Sequence, residues 1–368
     1  MFKFKRPFRN KCVSERRVVG WWTKHEGLSS RLISRASKMD DSIQPLFTFG
    51  VIADIQYADI DDGYNFTCTR KRYYRNSLQL LRRANEKWKS ETVQPSFILQ
   101  LGDIIDGFNK KHEASQKALD TVLKEFDNTG INVHHVWGNH EFYNFSRQDL
   151  ITSLNSQNTD FETRQDEIKH KHPDNEQSYA YHFSPSPNFR FVVLDAYDVS
   201  LIGRQENSEQ YNQALKILQK YNHNDELNQP PAYLGLEQRF VKFNGGFGQD
   251  QLDWLDRLLT LSDQKLEKVT VVSHLPIHPS STCPVCLAWN YDEVLSILHS
   301  HKSVVCFMAG HDHDGGYHQD ISGIHHLTFE GVIETQPNND AFGTVYVYED
   351  RMKLKGNGRV PHRSLYYQ

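Results

Sequence analysis

The sequence predicts an α/β fold, a parallel β-sheet covered by helices. Three observations carry this. Short apolar runs alternate with longer segments whose apolar residues recur at three- and four-residue spacing. The runs are continuous rather than alternating, as strands buried on both faces should be. Five of them also end in the same residue types: carboxylates, amides and imidazoles.

The folded part is expected to begin near Pro45 with strand Phe47–Ala53, which ends in Asp54-Ile55-Gln56. A polar loop follows. Then comes a helix of about twenty residues with Tyr74, Ser77, Leu81, Ala84 and Trp88 on one face. Strand Phe97–Leu101 leads to Gly102-Asp103. Helix Glu113–Asp127 carries Leu119, Val122, Leu123 and Phe126 in one stripe, with Gly130 placed for a left-handed C-terminal cap. Strand Ile131–Trp137 ends in Gly138-Asn139-His140-Glu141. This β-α-β-α-β order implies parallel pairing.

Residues 144–235 break the rhythm and read as an insertion. Inside it, Ser178–Phe183 and Phe189–Asp195 alternate around Pro185-Ser-Pro-Asn as a hairpin, and Glu209–Tyr221 is a weak helix. Gly245-Gly246-Phe247-Gly248 then precedes a helix, Gln249–Leu261. It is a tight turn or an anion cradle. Strand Val269–Ser273 delivers His274. A loop with Cys283-Pro-Val-Cys286 and helix Tyr291–Ser300 follow. Strand Val304–Ala309 ends in Gly310-His311-Asp312-His313. Antiparallel strands Ile324–Phe329, Thr344–Tyr348 and Met352–Lys355 close the chain.

Ligands in open α/β sheets bind beyond the carboxyl ends of the strands. Five such ends meeting on one rim bring together Asp54, Gln56, Asp103, Asn139, His274, His311 and His313. Oxygen and imidazole donors suit Mn²⁺, Fe²⁺ or Mg²⁺, and the lack of thiolates disfavours structural zinc. His311 and His313 can diverge to two ions, with Asp103 bridging.

This ordered set of motifs resembles the calcineurin-like metallophosphoesterases over about residues 47–330. The resemblance implies a four-layer metallophosphoesterase sandwich, two mixed β-sheets flanked by helices. It also implies two divalent metal ions as cofactors. Asp54, Gln56, Asp103 and His313 would hold one, and Asp103, Asn139, His274 and His311 the other. Asp103 and His140 would be catalytic, with His140 facing the substrate. The family's usual His at the third position of the first motif is Gln56 here. That variant, with Ala53–Tyr57 and Gly331-Val-Ile-Glu-Thr335, resembles the manganese-dependent diphosphatase branch, so Mn²⁺ is the preferred ion and Mg²⁺ the alternative. The implied reaction splits the diphosphate bond of nucleoside diphosphate derivatives: ADP-ribose to AMP and ribose 5-phosphate, CDP-alcohols to CMP and a phosphoalcohol. Phe66 or Tyr197 would stack on the base, and Cys286 would reach the nucleotide. The alternatives are a phosphodiesterase for cyclic nucleotides or other small diesters, and an inactive scaffold.

Composition sets the remaining bounds. The chain has 368 residues, 38% of them apolar, and a net charge of −4. Residues 1–38 carry eleven basic and two acidic groups, against 31 basic and 44 acidic in the remainder. So residues 1–45 read as a basic, disordered extension, and 46–368 as one domain. An acidic body is a poor partner for nucleic acid, while a small anionic substrate remains compatible if cations sit in the site. No apolar run reaches the roughly 20 residues of a membrane span. Five cysteines, an odd and small number, suit a reducing compartment. A cytoplasmic monomer is expected. Organelle targeting by the Arg-rich N-terminus is the less favoured option.

Overall fold

The alternation inside β1 sets the architecture. In the computed structural model, which describes residues 44–65, 68–154, 179–232 and 235–368, β1 spans Phe47–Ile52. Phe47, Phe49 and Val51 pack with Phe97 of the same sheet and with Phe191, Val193, Val272 and Met308 of a second sheet. Ile52 faces the other way, toward Leu81 and Trp88 of the first long helix. A Cβ on Gly50 would stand 2.7 Å from the Trp88 ring, so glycine there lets that helix lie close against the strand.

The other elements follow in chain order. They are the short pair β2 (Gly63–Tyr64) and β3 (Lys71–Arg72), α1 (Tyr74–Ser90), β4 (Phe97–Gln100), α2 (Phe108–Lys111), α3 (Ser115–Asp127) and β5 (Asn132–His135). Next are α4 (Asn139–Asn144), α5 (Arg147–Leu154), β6 (Tyr181–Ser186), β7 (Phe189–Val193), α6 (Glu209–Tyr221), α7 (Gln249–Gln264), β8 (Lys268–Val272), α8 (Tyr291–His299) and β9 (Val304–Ala309). The chain ends with β10 (Gly316–Gln319), β11 (His325–Thr328), β12 (Ala341–Val347), β13 (Arg351–Gly358) and β14 (Arg363–Tyr366).

Two six-stranded sheets result, ordered β14-β13-β12-β1-β4-β5 and β10-β11-β9-β8-β7-β6. Both are mixed. β1 is parallel to β4 and antiparallel to β12, while β8 is parallel to β7 and β9. Between the sheets, Phe49 and Phe97 stack at 5.2 Å, and Phe191 meets both edge-on at 5.2 and 5.1 Å. Each such buried ring contributes on the order of 1.5–3 kcal/mol. The second sheet's outer face, Val269, Val271 and Phe307, buries against Leu255 and Leu258 of α7. The layers are therefore helix, sheet, sheet, helix, as the resemblance implies.

One expectation needs correction, and one alternative falls away. Residues 144–235 are not an insertion throughout, because β6 and β7 pair with each other and β7 pairs in parallel with β8, completing the second sheet. The predicted hairpin is there, but its polar flanks hid its place in the core sheet. The Gly245–Gly248 run is also no anion cradle. The Phe247 N–H donates to Asn290 Oδ1 and the Gly248 N–H to Asp198 Oδ2, and a Cβ on Gly245 would stand 2.5 Å from the Ala196 carbonyl. Helix α6 keeps its expected bounds, its start fixed by Ser208, whose Oγ accepts the Tyr211 N–H. The basic extension up to residue 43 lies outside the described residues.

Candidate metal centre

β1, β4 and β5 lie side by side in one sheet, and β8 and β9 side by side in the other. Their carboxyl ends bring all seven expected ligands to one rim. Past β1 and β4 the backbone enters the left-handed region at Asp54 (φ 52°), Gln56 (φ 44°) and Asp103 (φ 58°), and past β9 at His311 (φ 70°). Each costs about 1–3 kcal/mol for a side-chain-bearing residue and is held by surrounding contacts. The Gln56 N–H donates to the Asp103 carbonyl and the His311 N–H to both Asp54 carboxylate oxygens.

The motif glycines are steric necessities. A Cβ on Gly138 would stand 2.1 Å from Asp103 Oδ1, and one on Gly102, at φ +96°, 2.3 Å from His274 Nδ1. Glu141 ties these loops together. Its buried carboxylate accepts the N–H groups of Asp103 (2.8 Å), Ile104 (2.7 Å) and Gly138 (2.7 Å).

Each of three histidines has one ring nitrogen engaged outward. His274 Nδ1 donates to the Leu101 carbonyl at 2.7 Å, His311 Nε2 to Asn244 Oδ1 at 2.9 Å, and His313 Nδ1 meets Glu334 Oε1 at 3.0 Å. These partners turn His274 Nε2, His311 Nδ1 and His313 Nε2 inward, the first two 3.2 Å apart. Donor atoms of Asp103, His274 and His311 lie within 4.8 Å of one another, as do those of Asp54, Asp103 and His313. Asp103 belongs to both groups, the position of a bridging carboxylate.

Gln56 supplies an independent test of fit. Its Oε1 is buried without a hydrogen-bond partner, while its Nε2 lies 2.9 Å from Asp103 Oδ2 and 3.1 Å from His313 Nε2. Exchanging the amide's two ends, which are alike in shape, would put the unsatisfied oxygen among the ligand atoms. Asn139 is held by the Tyr197 hydroxyl on its Oδ1 at 3.3 Å and by Tyr143 on its Nδ2 at 3.3 Å. The residues present fit two divalent cations flanking Asp103.

The charges point the same way. Burial raises the Asp103 carboxyl's pKa, but His274 and then His140 overcome it and hold the group far below its usual range. Burial lowers His274, yet Asp103 brings it to about 9. His313 behaves likewise, reaching about 10 through Asp54 and Glu334. At His311 burial prevails, reinforced by His274, and the ring stays neutral. Burial, then the Asp103 charge, pushes Glu141 up to about 7 against its three N–H donors. Ions at these positions would take the rings in neutral form.

Above the ligands lies a cavity of about 580 Å³, lined in part by Gln56, Asp103, Asn139, His140, His311 and His313. His140 accepts the Gly107 N–H on Nδ1 at 2.9 Å, so its proton sits on Nε2, which is 3.9 Å from Asp103 Oδ2. Cys286 lines the cavity. Tyr197 does not. It is fully buried beneath Asn139 and cannot stack on a base. Phe66 lies outside the described residues. Sequence reasoning missed Phe243, Arg70 and Arg72, which line the cavity, and the supports Asn244 and Glu334. Glu334 stood inside a quoted motif, whereas Phe243 and Asn244 lie in a loop with no local signal.

Residues 47–315 match the calcineurin-like phosphoesterase family, and the chain belongs to it. It is similar to proteins named manganese-dependent ADP-ribose/CDP-alcohol diphosphatase. That of Danio rerio is 58% identical over 326 residues, 88% of this chain and 99% of the relative. The Homo sapiens protein of that name is 54% identical (90% and 95% covered), and the Arabidopsis thaliana one 40% (86% and 96%). A crystal structure of a dimetal phosphatase from Danio rerio superposes with a TM-score of 0.82 at 56% identity, covering 88% of this chain and all of the other.

Proposed function

We propose that this chain is a manganese-dependent hydrolase that splits the diphosphate bond of nucleoside diphosphate derivatives, ADP-ribose and CDP-alcohols among them. The single observation that carries the reading is the set of inward histidine ring nitrogens on either side of Asp103, at the floor of an open cavity. Similarity above 50% to relatives bearing that activity in their names supports the substrate class. Asp54, Gln56, Asp103 and His313 would hold one ion; Asp103, Asn139, His274 and His311 would hold the other. When bound, the two ions lower the pKa of water and neutralise phosphoryl charge. The neutral Gln56 amide, in place of an imidazole, makes the first position a weaker donor set and favours Mn²⁺, with Mg²⁺ as the substitute.

The chain's own residues do the rest. His140, its Nδ1 occupied by the Gly107 N–H, presents Nε2–H to the cavity. It donates to the phosphoryl oxygen where negative charge builds up. Arg72 lines the cavity with its guanidinium 3.5 Å from Glu334 and 3.7 Å from Asp106, and would meet the second phosphate. Arg70, paired with Asp314 at the mouth, adds positive charge there. Phe243 offers an aromatic face to the base, and Cys286 a further wall. We also propose a monomer acting in the cytoplasm on small molecules, without nucleic-acid partners. Light scattering and cell fractionation test that part. Among the described residues no helix is long and apolar enough to cross a membrane.

The test is a product assay with Mn²⁺ and then Mg²⁺. ADP-ribose should give AMP and ribose 5-phosphate, and CDP-choline should give CMP and phosphocholine. Asp103→Ala and His274→Ala should abolish both while the fold persists. Faster turnover of a cyclic nucleotide than of either diphosphate would favour the diester phosphodiesterase. Absence of turnover together with absence of Mn²⁺ binding would favour the inactive scaffold.

A further inference from the structure

The loop between β8 and α8 holds Cys283-Pro284-Val285-Cys286, with Pro284–Cys286 forming one turn of 3₁₀-helix. Alone, one Cys-x-x-Cys supplies only two ligands, and the sequence has no second such pair. The fold supplies a third group. Asp312, buried between His311 and His313, brings a carboxylate oxygen within 4.8 Å of both sulfurs.

The sulfur spacing fits a shared cation. The sulfurs are 3.5 Å apart. A disulfide needs about 2.05 Å. Two thiolates on one tetrahedral zinc, each at ~2.3 Å, stand roughly 3.8 Å apart. The carboxylate is also prepared for ligation. Its Oδ2 accepts from the Thr282 hydroxyl and the Cys283 N–H, both at 2.8 Å, and its Oδ1 accepts the Asp314 N–H at 3.2 Å. Hydrogen bonds of this kind orient ligating carboxylates. The Cys283 contact and burial push the Cys286 thiol's pKa up.

We propose that Cys283, Cys286 and Asp312 form a third cation site, for a thiophilic divalent ion of the zinc class, in the wall of the cavity. It shares no ligand with the positions flanking Asp103. Thiolate donors select zinc over manganese, whereas the oxygen and imidazole donors of the main centre accept manganese. Binding one ion releases two thiol protons to solvent and forms two metal–sulfur bonds and one metal–oxygen bond, with no change of oxidation state. The local charge stays at −1, because two protons leave as two positive charges enter. Three protein ligands leave a fourth position for water or a substrate group. Cys286 and Asp312 both line the cavity, so an occupied site alters the wall that the substrate meets.

The experiment titrates Cd²⁺, a zinc-class probe, into the full-length, Mn²⁺-saturated protein under a non-chelating phosphine reductant. Ultraviolet absorption reads cadmium–thiolate charge transfer, and electron paramagnetic resonance counts released Mn²⁺. One equivalent of Cd²⁺ should bind with the thiolate band before Mn²⁺ is displaced. Cys283→Ser and Cys286→Ser should each lose the band and weaken this first binding at least tenfold. Cys283 is exposed, so its replacement keeps the test open if Cys286→Ser misfolds. X-ray absorption at the zinc edge of the Zn²⁺-loaded protein should then show two sulfur neighbours. Cadmium uptake that only displaces Mn²⁺ without the band, or a band unchanged in Cys283→Ser, would overturn the proposal. The readout is sulfur ligation, so it is independent of which substrate the main centre hydrolyses.

Discussion

Removing the Glu141 carboxylate should collapse the metal centre without touching a ligand. The carboxylate is 1% exposed and accepts three backbone N–H groups, from Asp103, Ile104 and Gly138. It thereby fixes the ends of β4 and β5 against each other. Glu141→Ala leaves three buried donors unpaired, at about 1–3 kcal/mol each. Allowing for water entering the vacated space, a loss of about 3–5 kcal/mol is expected, a large share of the 5–15 kcal/mol typical of folded domains. Glu141→Gln is subtler. Its remaining oxygen can serve Asp103 and Gly138, as Oε2 does now, but its NH₂ then faces the Ile104 N–H. One donor is lost, at about 1–3 kcal/mol. Urea unfolding of the metal-free proteins measures both changes, and calorimetry with Mn²⁺ measures the centre. Glu141→Ala should also weaken Mn²⁺ binding at least tenfold, because Asp103 loses its register. A change below about 0.5 kcal/mol, the level of an ordinary surface substitution, with unaltered Mn²⁺ affinity, would refute the clamp.

Three further outcomes follow. His140→Ala should lower kcat at least tenfold while bound Mn²⁺, measured by atomic emission, stays constant; equal loss of metal would make the residue structural. Gly138→Ala should give protein with no measurable Mn²⁺ binding, since its Cβ would stand 2.1 Å from Asp103 Oδ1; calorimetry showing wild-type affinity would contradict the packing. The third concerns pH. Burial, with His326 and His318 adding, lowers the His278 pKa to about 4, with Asp320 opposing and His299 adding a little. A histidine whose folded pKa is depressed stabilises the fold above its unfolded pKa of about 6.5, and that contribution is lost as pH falls toward 4. Unfolding midpoints should drop between pH 6.5 and 4, and His278→Asn should flatten the drop. An identical slope in the variant would exclude His278 as its source.

Much of the centre was legible because each ligand follows an apolar run. Strand ends can be read from periodicity, and Asp, Asn and His at several such ends are rarely accidental together. The helix Glu209–Tyr221 was legible for the same reason. What escaped depends on contacts distant in sequence. β6 and β7 read as a hairpin within an insertion because β7's partner, β8, lies 79 residues on. Tyr197 looked available for stacking because nothing local shows that Asn139 covers its hydroxyl. Asn244 and Glu334 orient His311 and His313 across 67 and 21 residues. Asp312 completes a trio with two cysteines that sequence alone leaves as an isolated pair.

The most direct test of the account is anomalous diffraction at the manganese edge from crystals grown with Mn²⁺. Two peaks per chain are expected, one on each side of the Asp103 carboxylate. The first should lie among Asp54, Gln56 and His313, the second among Asn139, His274 and His311. A single peak, or peaks away from Asp103, would contradict the two-ion centre on which the hydrolase reading stands.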